Sequence, residues 1–418
     1  MDTDTTTSGD DAPTYDEQHR PQLHFSPPAN WMNDPNGMVY FEDEYHLFYQ
    51  YYPEGTVWGP MHWGHAVSKD LIHWEQLPIA LYPDEKGYIF SGSAIVDWFN
   101  DSGFSTTGEP PLIAIFTYHD MEMEKSDSTA TTYQSQAIAY SNDKGRTWTK
   151  YEGNPVIPNP GIKDFRDPKV IRDNENDQCV MVFAAGDHVK FYGSKDLKKW
   201  YYLSTFGQSW GTHAGVWECP DLFPLAVPEN GTQKWILLSS INPGGPNGGS
   251  ATQYFVGEFD GKQFRLDQEF ASHLRRNTEA ACWFDFGRDN YAGVTWSDIE
   301  ENDGRRIFMG WMSNWDYAQV VPTQGWRSAM TLPRTLELHT TGKGPRLYQG
   351  FVKELQQLRG DLSSPNVTGD KDTRQSLSAA PQQLEIIIKE ASNESAKSRC
   401  GFMLSNKVGE SYRIGYDA

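Results

Sequence analysis

The sequence predicts an all-β chain with propeller character, on three observations. Short runs of β-branched and aromatic residues sit between Gly, Pro, Asn and Asp, no segment keeps a helical period, and one strand-turn-aromatic pattern recurs. With 418 residues the chain has room for a large β domain and a smaller second one.

Taken in order, residues 1–19 are Thr-, Asp- and Ser-rich with almost nothing apolar and read as a disordered leader, packed structure being expected from about Gln22. Strands are expected at Gly37–Phe41, Tyr45–Gln50, Leu112–Thr117, Ser135–Tyr140, Cys179–Ala184 and Lys234–Ser239. The repeat runs Ala66-Val-Ser-Lys-Asp-Leu-Ile-His-Trp74, then Ala139-Tyr-Ser-Asn-Asp-Lys-Gly-Arg-Thr-Trp148, then Phe191-Tyr-Gly-Ser-Lys-Asp-Leu-Lys-Lys-Trp200, with a looser copy at Val256–Phe264. Each copy suits the outer hairpin of a four-stranded blade around a central channel. Ser-x-Asp turns are also common in other β proteins. The propeller is placed at residues 20–345, followed by a linker at 346–365 and the start of a β-sandwich at 366–418, with strands at Gln383–Glu390 and Cys400–Leu404. That last piece is short for a whole sandwich.

Acidic residues number 56 against 36 basic ones, a net charge of −20, so the surface repels nucleic-acid phosphates and anionic lipid. No apolar run reaches the ~20 residues of a membrane-spanning helix, and the polar start does not read as a signal peptide. The four cysteines, Cys179, Cys219, Cys282 and Cys400, are too scattered for a disulfide framework or a zinc site. Asn230-Gly-Thr, Asn366-Val-Thr and Asn393-Glu-Ser match the N-glycosylation pattern. Aromatic residues make up 14% of the chain; some could stack on sugars, and most are expected in the β core. His62, His65 and His73 lie close together without an acidic partner, which favours packing and turn roles over metal binding.

Three stretches could carry chemistry. Trp31-Met-Asn-Asp-Pro-Asn-Gly37 reads as a rigid turn holding the Asp34 carboxylate. Phe165-Arg-Asp-Pro168 sets Asp167 beside a guanidinium, so Arg166 is expected to keep Asp167 ionised. In Val216-Trp-Glu-Cys-Pro-Asp221, Glu218 has apolar flanks that would raise its pKa and suit it to act as an acid. Retaining glycoside hydrolysis needs such a division: an ionised nucleophile and a protonated acid ~5 Å away.

Together with Phe90-Ser-Gly-Ser93 and Gly310-Trp-Met-Ser-Asn-Trp315, these motifs resemble glycoside hydrolase family 32, from about His24 to Arg334 and most closely the fungal β-fructofuranosidases of invertase and exo-inulinase type. The resemblance implies a five-bladed β-propeller followed by a β-sandwich, here shortened. It implies Asp34 as nucleophile, Glu218 as acid/base and Asp167 as transition-state stabiliser. Asn33, Gln50, Trp58, Phe90, Ser93, Arg166 and Trp315 would surround the terminal fructose. It also implies sucrose and fructan substrates, secretion, and neither metal nor cofactor; a homodimer is compatible with it. Transfer of fructose to a second sugar, or a fructan-binding propeller without catalysis, are the alternatives, and the intact set Asp34, Asp167 and Glu218 speaks against the latter.

Overall fold

The computed structural model describes residues 15–276, 281–360, 399–405 and 409–417. Contacts divide the chain into two units, Met1–Ser364 and Pro365–Ala418. The first is a five-bladed β-propeller of five antiparallel sheets. Blade one comprises Asn30–Phe41, Glu44–Tyr52, His62–Ser68 and Glu75–Leu81. Blade two comprises Tyr88–Val96, Leu112–His119, Gln134–Ser141 and Thr149–Lys150. Phe165–Asp173, Gln178–Ala185, Val189–Ser194 and Tyr201–Phe206 form blade three. Val216–Val227, Thr232–Asn242, Ala251–Phe259 and Phe264–Leu266 form blade four. Tyr291–Thr295, Arg306–Trp311, Arg334–Thr341 and Gly344–Phe351 form blade five. The ring is latched where Trp326–Arg327, from blade five's long connection, pairs parallel with Asn30 and Trp31.

The repeat falls on the outer hairpins of blades one to four. In each copy an Asp side chain caps the turn: Asp70 accepts from the amides of Ile72 and His73, Asp196 from Lys198 and Lys199, and Asp260 from Lys262 and Gln263. Asp143 accepts from the Thr147 amide in the same way. These are Asx-type turns, which explains the recurrence of Ser-x-Asp. The Trp148 and Trp200 indoles each donate back to a carbonyl three residues upstream.

Between blades the core is aromatic: Trp31, Trp63, Trp217, Trp296 and Trp311 are fully buried. His65 belongs to it, stacked on Phe48 at 4.0 Å and bonded to His46, while His62 bonds to the Pro60 carbonyl and His73 to Asp70 in its turn.

Two boundaries differ from the sequence reading. The chain is already fixed at Tyr15, not Gln22, because buried Arg20 pairs with Glu17 at 2.7 Å and lies over the Trp326 and Tyr15 rings. The last blade runs to Phe351 rather than 345, because Gly344–Phe351 is an outer strand whose mixed polar pattern hides its pairing with Arg334–Thr341. Lys353–Leu358 then forms a 3-10 helix. In the second unit Arg399–Ser405 and Ser411–Asp417 pair as an antiparallel hairpin. The strand expected at Gln383–Glu390 and the sequons at Asn366 and Asn393 lie outside the described residues.

Candidate active site

The innermost strand of every blade carries one extra residue at the same level. Asn33 and Asp34 together face Gln50, and Ser91 is extra between Phe90 and Gly92. Asp167 and Pro168 face Phe183, Cys219 and Pro220 face Ser239, and Ala292 and Gly293 face Gly310. These are β-bulges, which interrupt the ladder and re-aim side chains. Proline fits there because it has no amide to give the ladder. The strain is visible in the left-handed backbone of Asp167 (φ 65°), Cys219 (φ 44°) and Ala292 (φ 52°). The stretch at Asn33–Gly37 is therefore a bulged strand, not the turn its sequence suggests. At Gly37 (φ 56°) an added Cβ would lie 2.7 Å from the Phe48 and Trp63 rings.

The bulges bring three carboxylates from three blades to a cavity of about 320 Å³. Asp34 accepts from the Asn33 amide at 3.0 Å and from the Ser91 hydroxyl at 2.7 Å. Burial, and then the charge of Glu218, push its carboxyl above the usual range, against the pull of those two donors. Asp167 is 5% exposed and accepts from the Cys219 amide at 3.0 Å. The Cys219 thiol lies 3.6 Å from both Asp34 and Asp167. Burial raises Asp167 to about 7; Arg166 opposes the rise, while Glu218 and Asp34 add to it.

Arg166 is placed differently from the sequence reading. Its guanidinium grips Glu218 at 2.9 and 3.2 Å and Asp164 at 2.7 Å, and stands 3.9 Å from Asp167. Glu218 thus sits between a cation and the Tyr291 hydroxyl, which donates to its other oxygen, and not in apolar surroundings. The cause lies in topology: side chains adjacent in sequence diverge at the bulge, while neighbouring blades converge on the axis.

Of the other expected residues, Asn33, Gln50, Trp58, Phe90, Arg166 and Trp315 line the cavity. Ser93 does not: its hydroxyl accepts the Val170 amide at 3.0 Å, inside the propeller. The extra residue at Ser91 shifts the alternation, so Ser91 reaches Asp34 instead.

The glycosyl hydrolases family 32 N-terminal domain matches residues 24–350. The chain belongs to family 32. It is 52% identical to the levanase of Bacillus subtilis (strain 168) over 410 residues, which covers 97% of this chain and 58% of the levanase. It is 44% identical to the extracellular exo-inulinase of Aspergillus awamori, over 80% of this chain and 65% of that protein. The chain thus spans less than two thirds of the length of either relative. The crystal structure of the A. awamori exo-inulinase superposes with a TM-score of 0.74 at 42% identity, covering 80% of this chain and 68% of that one. A Schwanniomyces occidentalis fructofuranosidase solved with fructose gives 0.70 at 39%, covering 80% and 63%.

This family 32 cavity also holds residues that the motifs missed. His119 stacks on Phe90 at 4.2 Å and bonds to Glu124 at 3.0 Å and to Gln134 at 3.1 Å. Glu124 stands on the short helix Met121–Ser126. Tyr133, Asp164 and Gln319 also line the cavity. Asp164 could have been flagged by its place two residues before Arg166, and Ser91 by its place inside Phe-Ser-Gly-Ser; the others carry no local signal.

Crowding carboxylates has a stability cost that pH reveals. An unfolded Asp titrates near ~4 and folded Asp167 at about 7, so below pH ~4 both states hold the proton. As pH rises toward 7 the unfolded chain releases that proton first, and stability falls across the window. Asp167→Asn should therefore melt at a higher temperature than the parent at pH 7, with the gap closing near pH 4. Circular-dichroism melts at both pH values check this; an equal or lower melting temperature at pH 7 contradicts it.

Proposed function

We propose that the chain is a retaining β-fructofuranosidase that releases terminal β-D-fructose from sucrose and from fructans such as inulin and levan. The supporting observation is the convergence of Asp34, Asp167 and Glu218 from three blades on one cavity, each with its own set of donors. The relatives' names, levanase, exo-inulinase and invertase, point to the same sugar.

In this reading Asp34, aligned by Asn33 and Ser91, attacks the anomeric carbon of fructose. Glu218 protonates the leaving oxygen, then takes a proton from water so that the fructosyl ester is hydrolysed with net retention. Arg166 and Tyr291 fix the Glu218 carboxyl and stabilise it as an anion once its proton has left. Asp167, beside both, stabilises the oxocarbenium-like transition state and holds fructose hydroxyls. Asn33, Gln50, Trp58, Phe90 and Trp315 surround the ring. When a second sugar outcompetes water at the fructosyl ester, fructose is transferred. Action on an external polymer agrees with secretion, and Asn230 is exposed at a hairpin turn where a glycan fits.

Time-resolved analysis of sucrose, inulin and levan digests tests the reading. Fructose as the first product of all three is expected, with trisaccharides of kestose type only at high sucrose. No fructose from any of them rejects it.

The pH profile follows from these carboxyls. Burial and the nearby charge of Glu218 hold the Asp34 and Asp167 carboxyls above the usual carboxylate range, so these neighbours titrate as a pair. Activity is expected to fall toward alkaline pH, where no protonated carboxyl remains to serve the leaving oxygen. It also falls in acid as Asp34 is protonated, so the optimum lies on the acidic side of neutrality. A kcat/KM plateau extending to pH 9 contradicts this.

A further inference from the structure

The inner strands of blades two, three and four run from the carboxylate cavity to a second cavity, of about 670 Å³, at their far ends. Inside this second cavity Lys169 and Arg306 stand among the carboxylates of Asp221 and Asp298. Lys169 is held there by Asp221 at 3.4 Å and the Thr295 carbonyl at 2.7 Å. Arg306 donates to the Trp296 carbonyl at 3.2 Å, and among the described residues its remaining guanidinium N–H groups have no acceptor. The rim is acidic, with Glu175, Glu300 and Glu301 exposed. Two aromatic side chains stand on the same rim, Trp98 at 55% and Phe99 at 68% exposure. The Trp98 indole N–H is tied to Asp298 at 2.9 Å, which fixes the ring.

An anion would be repelled at this rim, while inside the cavity the cations are matched by Asp221 and Asp298. A neutral ligand with many hydroxyls and an apolar face suits this lining: acidic groups accept its hydroxyls, Arg306 donates, and Trp98 with the side of Phe99 not covered by Arg172 meets its C–H face. The volume lies within the range of ligand pockets.

We propose that this cavity is a second carbohydrate site, which holds a fructan segment on Trp98 and Phe99 away from the catalytic mouth. The choice of fructan among neutral glycans rests on the activity proposed above. Two sites on one chain raise the effective concentration of a polymer but not of sucrose.

The test is calorimetric titration of the full Asp34→Asn chain, which does not consume its ligand, with the tetrasaccharide nystose. Two sites are expected. Adding Trp98→Ala or Phe99→Ala should weaken one of them by about tenfold or more and leave the other in place, while Trp98→Tyr restores it. The same aromatic changes in the active chain should retain sucrose turnover, which shows that they fold. A single nystose site in Asp34→Asn, or two sites indifferent to both alanine variants, overturns the proposal. Sucrose hydrolysis by the unmodified chain tests the activity separately, so the two readings fail distinguishably.

Discussion

Asp34→Asn should lose at least ~10³-fold in kcat on sucrose while keeping the fold and weak sucrose binding. The amide retains an oxygen to accept from Asn33 or Ser91, and it removes a charge that burial and Glu218 already disfavour. Only the ability to bond covalently to the anomeric carbon is lost. Steady-state kinetics, with a melting curve to confirm folding, check this; turnover within tenfold of the parent would remove Asp34 from the mechanism.

Glu218→Ala has the second large effect, and it separates two duties. On sucrose, where the leaving oxygen needs a proton, kcat should fall by about 10²- to 10⁴-fold. With a fructosyl donor whose leaving group departs as a stable anion, the first step should recover and the second stall for want of a base. Azide needs no deprotonation and fits the space left by the side chain, so it should restore turnover and give β-fructosyl azide. Full activity on sucrose, or the α-azide, would move the acid role elsewhere, with Asp167 the first to re-examine. The variant also deprives Arg166 of its main partner, so Glu218→Gln, which keeps the volume, serves as the folding control.

Much of the fold was legible because it is local. The Ser-x-Asp turns are written in the sequence, and the strands beside them alternate as outer hairpins must. The bulges were not legible. A bulged strand uses the same Asn, Pro and Gly as a turn, for the same reasons of missing amides and left-handed backbone, so Asn33–Gly37 looked like a turn. Ser93 was chosen over Ser91 through the same blindness, since one extra residue reverses which side chain reaches Asp34. The electrostatics were read from sequence neighbours, whereas in a propeller the effective neighbours come from other blades. Arg166 and Glu218 are 52 residues apart and bonded, while Arg166 and adjacent Asp167 are 3.9 Å apart. The wall of His119 and Glu124 was invisible because a stacked histidine and a carboxylate on a short helix form no motif.

The central claim is that fructose is carried on Asp34, and one measurement addresses it most directly. Glu218→Ala is incubated with the activated fructosyl donor, quenched in acid, digested and analysed by mass spectrometry. A single fructosyl unit on the peptide containing Asp34, discharged by azide before the quench, is the predicted result. A fructosyl unit on the peptide carrying Asp167, or rapid turnover to an inverted product with no adduct on any peptide, would contradict the account.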